Sequence, residues 1–115
     1  MYRRHYAEIS EDASHNARRR ERTILESAVE KLRDAKKRGA RSPEAFEATA
    51  YVRQLWTVFI SDLSNDDNAL PVPLRASLIS IGLWVRREVD RIDAGQSENF
   101  DGLIEINQMI ADGLV

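Results

Sequence analysis

Ser42-Pro43-Glu44-Ala45-Phe46-Glu47-Ala48-Thr49-Ala50-Tyr51-Val52-Arg53-Gln54-Leu55-Trp56-Thr57-Val58-Phe59-Ile60-Ser61-Asp62-Leu63 is the stretch whose reading decides the fold. The Ser42 hydroxyl can accept from the exposed amides of a helix start, and Pro43 suits the first helical position, where the missing N–H has no partner to lose. Phe46, Tyr51, Val52, Leu55, Trp56, Phe59, Ile60 and Leu63 then recur at helical spacing, with Arg53, Gln54 and Asp62 on the complementary side. This spacing predicts a helix over 43–63. Its apolar stripe is too wide for one neighbour, so it belongs inside an all-α bundle.

The flanks supply the neighbours. Before it, Ile24, Leu25, Ala28, Val29, Leu32 and Ala35 keep helical spacing, with Ser14 able to cap and with Lys36, Lys37 and Arg38 suited to the negative end of the dipole. A helix over 15–37 is expected, stopped at Gly39. Residues 1–13 show no clear period; Tyr2, Tyr6 and Ile9 are their sizeable apolar groups, and the segment reads as an N-terminal arm that docks. After the central helix, Ser64-Asn65-Asp66-Asp67-Asn68 has loop chemistry, and Pro71 and Pro73 bracket the next start. A helix over 73–93 follows, almost without polar residues between Leu78 and Val85, which marks a buried helix or a partner face. Gly82 inside it costs about 1 kcal/mol relative to alanine, so a backbone or a bulky ring should approach closely there. Ala94 and Gly95 end that helix, and Ser97 or Asn99 can cap a last one over 100–112. Four helices with short connections predict a single compact antiparallel bundle spanning 1–115.

Composition narrows the function. The 115 residues carry a formal charge of -2 and 43% hydrophobic side chains, which fits one domain and no dedicated phosphate-binding surface. The charge is unevenly placed, with 12 basic and 7 acidic residues in 1–41 against 5 basic and 12 acidic in 42–115. With Cys 0, there are no disulfides, thiolate metal sites or cysteine nucleophiles. Glu8, Glu11 and Asp12 interrupt any signal-peptide core, and no stretch approaches the ~20 apolar residues of a membrane span. A cytoplasmic protein without membrane insertion is expected. His5 and His15 lack ligand spacing, the five glycines form no phosphate-cradling loop, and Asp66 with Asp67 lacks the alternating oxygens of a calcium loop. No enzyme, metal or cofactor is expected.

Two features point to partners. Leu55-Trp56 and Leu83-Trp84 are similar aliphatic-aromatic pairs on successive helices. Each reads most simply as core, but so short a bundle has limited room for both indoles together with Phe46 and Phe59. A groove between the second and third helices, near Trp56 and Trp84, is therefore expected to hold an amphipathic helix. Tyr6, Leu55, Trp56, Phe59, Ile81, Trp84 and Val85 are its candidate residues, with the arm as a flap. The second feature is Arg18, Arg19, Arg20 and Arg22, which read either as a solvated face with Arg22 paired to Glu26 or as contacts to RNA phosphates.

The stretch Arg53 to Leu63, the stretch Leu74 to Val85, the stretch Asn99-Phe100-Asp101-Gly102-Leu103-Ile104-Glu105-Ile106-Asn107, Tyr6-Ala7-Glu8 and the arginine-rich opening of the first helix together resemble the FlaF family of flagellar biosynthesis regulators. The resemblance is collinear over nearly the whole chain, with the His15-Asn16 pair a small departure at the first helix boundary. It implies a role in flagellin production and export beside the partner regulator FlbT, with flagellin itself bound. On that resemblance the chain is expected to be a flagellin-binding export chaperone or adaptor. The alternative is a post-transcriptional regulator that acts on flagellin messenger RNA directly or through FlbT.

Overall fold

The computed structural model describes the backbone of residues 2–113 and the side chains of residues 16–113. Four α-helices follow in order: α1 (Tyr2–Arg38), α2 (Pro43–Leu63), α3 (Val72–Asp93) and α4 (Phe100–Asp112). Three of the boundaries follow from local chemistry. At the first turn Gly39 takes a φ of 105°, open to glycine at little cost, and its N–H reaches back to the Ala35 carbonyl at 2.8 Å. Ser42 Oγ then accepts from the Ala45 N–H at 3.1 Å, as its position before Pro43 predicts. Asn99, rather than Ser97, caps α4, with Oδ1 accepting from the Gly102 N–H at 3.0 Å. Ser97 Oγ instead donates to the buried carboxylate of Glu88.

The helices alternate in direction around a square. Lys31 of α1 pairs with Glu47 of α2 at 2.9 Å, while Glu21 and Asp62 meet at the other end of the same two helices. Lys36 near the end of α1 pairs with Asp101 at the start of α4 at 2.7 Å, so these helices are antiparallel too. On the α2–α3 side, Thr49 Oγ1 donates to Asp93 Oδ1 at 2.7 Å, and Arg53 bridges Asp90 and Asp93. The α1–α2, α2–α3 and α1–α4 sides are closely packed. The α3–α4 side is the loose one.

The core comes from all four helices, with Leu25 and Leu32 of α1, Val52 and Trp56 of α2, Val85, Val89 and Ile92 of α3, and Leu103 of α4 sealed from solvent. Trp56 crosses the diagonal of the square. Its Nε1–H donates to Asn107 Oδ1 of α4 at 2.8 Å, and Asn107 Nδ2 donates to the Leu103 carbonyl at 2.7 Å, so the buried polar atoms of this pair are satisfied. Gly82 makes the α2–α3 contact possible. A Cβ there would lie 2.8 Å from Trp56 Cε3 and 2.9 Å from Ile60 Cγ1, which is the close ring approach that a glycine inside a helix suggests.

The sequence reading needs one correction in the fold. Residues 1–13 are not an arm separate from the first helix, because α1 is helical from Tyr2. The segment has no glycine or proline and is rich in alanine, glutamate and arginine, so propensity favours helix even where no apolar stripe demands one. At ~1.5 Å per residue, the 37 residues of α1 account for the 58 Å length of the molecule. Its first half therefore runs beyond the shorter helices. The side chain of Tyr6, proposed as part of a flap, lies outside the described residues, as do those of His5 and His15.

Candidate functional site

Apolar surface remains open where α3 faces α4. Ile81 and Trp84 on α3 and Gly102, Glu105, Ile106 and Met109 on α4 line a groove of about 310 Å³ whose walls are almost wholly apolar. Trp84 is 37% exposed and Met109 58%, large values for side chains of this size and hydrophobicity.

The groove follows from how each helix spends its faces. On α4, Phe100, Leu103, Asn107 and Ala111 share the stripe turned to the core. Ile106 and Met109 fall on the flank of that stripe, and Gly102 beside them has no side chain to fill the space. On α3, Gly82, Val85, Val89 and Ile92 supply the buried face. Gly82 draws α3 against Trp56 and Ile60 of α2, leaving Ile81 and Trp84 on the side turned to α4. The α2–α3 ion-pair network fixes the same preference at the far end of α3. Arg41 adds to it by donating to the Ile92 and Asp93 carbonyls, both at 3.1 Å.

The structure separates the candidate residues. Ile81 and Trp84 line the α3–α4 groove. Trp56, Leu55 and Val85 do not, because Trp56 is 1% exposed and both aliphatics are buried in the core. The predicted location between α2 and α3 is corrected by the same observation: those helices are closed on each other at Gly82, and the furrow lies one side further round. Phe59 is half-buried, meeting Trp56 edge-on at 5.6 Å. It lines a different hollow, a cleft of about 410 Å³ at the open end of the bundle with Arg18, Glu21, Asp62, Leu70 and Leu78 among its walls. Sequence reasoning missed Gly102, Ile106 and Met109. Their signal is present, since two large apolar residues fall outside the four-residue buried stripe of α4.

Arg18, Arg19, Arg20 and Arg22 are all exposed, and Arg22 Nε pairs with Glu26 at 3.0 Å. At ~100° per residue Arg18, Arg22 and Arg19 fall within about a quarter of the α1 circumference, and Arg19 and Arg20 together border a shallow hollow with Asn16, Thr23 and Ile24. Within the end cleft, the Glu21 carboxyl is held above its ordinary value, first by burial and then by the neighbouring charge of Asp62. Among the described residues no cluster of three metal-ligating side chains occurs, and no helix is long and apolar enough to cross a membrane.

A protein-family model described as flagellar protein FlaF matches residues 2–114. No curated protein and no solved structure matches the chain.

Proposed function

The chain belongs to the FlaF family of flagellar proteins, and from that premise we propose that it is a non-enzymatic cytoplasmic chaperone or adaptor that binds flagellin before export. It receives an amphipathic helix of flagellin along the α3–α4 groove, with Trp84 and Met109 as the main contacts. The observation that carries this reading is the half-exposed Trp84 beside an unfilled apolar furrow in a bundle that has sealed its other tryptophan. Exposed apolar surface that is contiguous and walled on two sides suits helix-in-groove recognition. A standard interface of ~800 Å² per partner therefore has apolar area to draw on.

On this reading the protein covers the apolar face of an amphipathic flagellin helix and so keeps it from associating before export. Purified flagellin monomer is expected to co-elute with this protein and to shift the emission of Trp84, the more exposed indole. An absence of any complex at tens of micromolar rules the reading out. Pairwise mixing of this protein, flagellin and FlbT distinguishes a direct chaperone from an adaptor that meets flagellin only through FlbT.

A further inference from the structure

The end cleft is built for a different contact from the α3–α4 groove. Its floor and walls are apolar, from Phe59, Leu63, Leu70, Leu78 and Ile110, with Leu70 39% exposed. Its rim carries Glu21 from α1 and Asp62 from α2, and among the described residues neither carboxylate belongs to an ion pair. Glu21 is placed against its own electrostatic preference, and Asp62 has no ion-pair partner among the described residues. Asp62 sits in the last turn of α2, which holds no basic residue of its own; Asn68 Nδ2 donates to Asp62 Oδ2 at 3.3 Å, and Arg75 of α3 donates to the Leu63 and Asn65 carbonyls rather than to this carboxylate. Glu21 is partly buried with the charge of Asp62 close enough to raise its pKa, even though Arg20 and Arg18 act in the other direction. Arg18 lines the cleft as well, which leaves two carboxylates against one guanidinium at the rim. An incoming cation beside an apolar surface would relieve both carboxylates at once.

We propose that this end cleft is a second docking site, which takes the apolar edge of a basic amphipathic helix from another polypeptide and seats that helix's lysine or arginine between Glu21 and Asp62. The occupant follows from charge complementarity: an acidic or purely apolar helix would fill the same hollow and leave the carboxylates without relief. Ala17, Arg18 and Glu21 of α1 supply one wall of the cleft. The proposal does not rest on the reading of the α3–α4 groove, since the residues that carry it are different.

The test uses the full chain and two synthetic helices of about 18 residues, or five turns, with the same leucine stripe, one bearing lysines and the other glutamates. Amide and indole resonances are followed during titration. The lysine helix is expected to move the signals of Ala69, Leu70 and Leu78 while the Trp84 indole stays in place, and the glutamate helix should bind at least tenfold more weakly. Glu21→Gln with Asp62→Asn is expected to lower affinity for the lysine helix about tenfold and abolish the preference between the two helices. Leu70→Asp, at an exposed position that should not impair folding, is expected to block binding of both. Glu44→Gln with Glu47→Gln, neutralising carboxylates at the opposite end of α2, should change nothing. An equal loss from that distant pair would mean general charge attraction and overturn the proposal. Shifts confined to Trp84 and Met109 would overturn it as well, while leaving the α3–α4 reading intact. Concentration-dependent self-association that moves the cleft residues without peptide would assign the cleft to a second copy of the chain, against the proposal.

Discussion

Gly82→Ala tests the packing that leaves the α3–α4 side open. An added Cβ would stand 2.8 Å from Trp56 Cε3, 2.9 Å from Ile60 Cγ1 and 3.0 Å from Ile60 Cδ1. The indole cannot easily give way, because it is buried and its Nε1–H is held by Asn107 at 2.8 Å. Overpacking of this kind costs about 1–3 kcal/mol, offset by about 1 kcal/mol from the better helix propensity of alanine. With contacts of 2.8 and 2.9 Å against a buried ring and its neighbour the upper part of that range applies, so the net loss should be about 1–2 kcal/mol, or roughly 4–12 °C in melting temperature. Urea unfolding followed by far-UV circular dichroism reads the change as a lower midpoint at unchanged slope. Trimming one side of the clash should recover part of the loss, so Gly82→Ala with Ile60→Ala is expected to lose less than the two single changes added together. A neutral or stabilising Gly82→Ala would show that α3 is not held against α2 at this point, and the explanation for the open groove would fail.

Other consequences are narrower. Asn107→Leu leaves the buried Trp56 Nε1–H without its acceptor and should cost about 1–3 kcal/mol in chemical denaturation, with Trp56→Phe in the same chain recovering part of it. A loss within experimental error would mean that the diagonal hydrogen bond is dispensable. For Glu21, the raised folded-state pKa means that the folded chain holds this proton more tightly than the unfolded one, so stability falls as pH rises through the ordinary glutamate range and stays lower above it. Glu21→Gln is therefore expected to raise the melting temperature slightly at pH 7, and the difference should close below about pH 4. A lower melting temperature at pH 7 would contradict the placement of that carboxylate. Arg41→Ala removes two hydrogen bonds to the carbonyl end of α3 and the stacking on the Phe46 ring at 5.0 Å, and a loss of about 1 kcal/mol should appear in thermal melts.

The helix boundaries were legible where they depend on neighbours in sequence. Ser42 before Pro43, Gly39 after Lys36-Lys37-Arg38, and Asn99 before Phe100 are local chemistry, and each does in the structure what its position implies. Gly82 was legible for a similar reason, since glycine inside an apolar helix needs a close neighbour to explain it. The start of α1 was not, because an absent apolar period says only that a segment has nothing to pack against, and the propensity of residues 2–13 still favours helix. The groove was half legible. Surplus apolar area is a property of the sequence, but which pair of helices leaves it open depends on which side of α3 is drawn in, and that is decided by the Gly82–Trp56 contact. Asn107 went unread although it lies in the same stripe as Phe100, Leu103 and Ala111; a lone amide in such a stripe marks a buried partner, here the Trp56 indole.

The most direct test of the central claim, that the open α3–α4 side is where flagellin binds, is the affinity of Trp84→Ala with Met109→Ala for flagellin monomer, measured by calorimetry beside a thermal melt. Neither side chain belongs to the sealed core, with Trp84 37% and Met109 58% exposed, so the melt should fall less than for loss of a core side chain and the variant should stay folded, while removal of a tryptophan contact at the centre of an interface costs at least about 2 kcal/mol, or roughly thirtyfold in Kd. Weakened binding with an intact fold is the predicted result. Unchanged affinity for flagellin in a folded double variant would contradict the account.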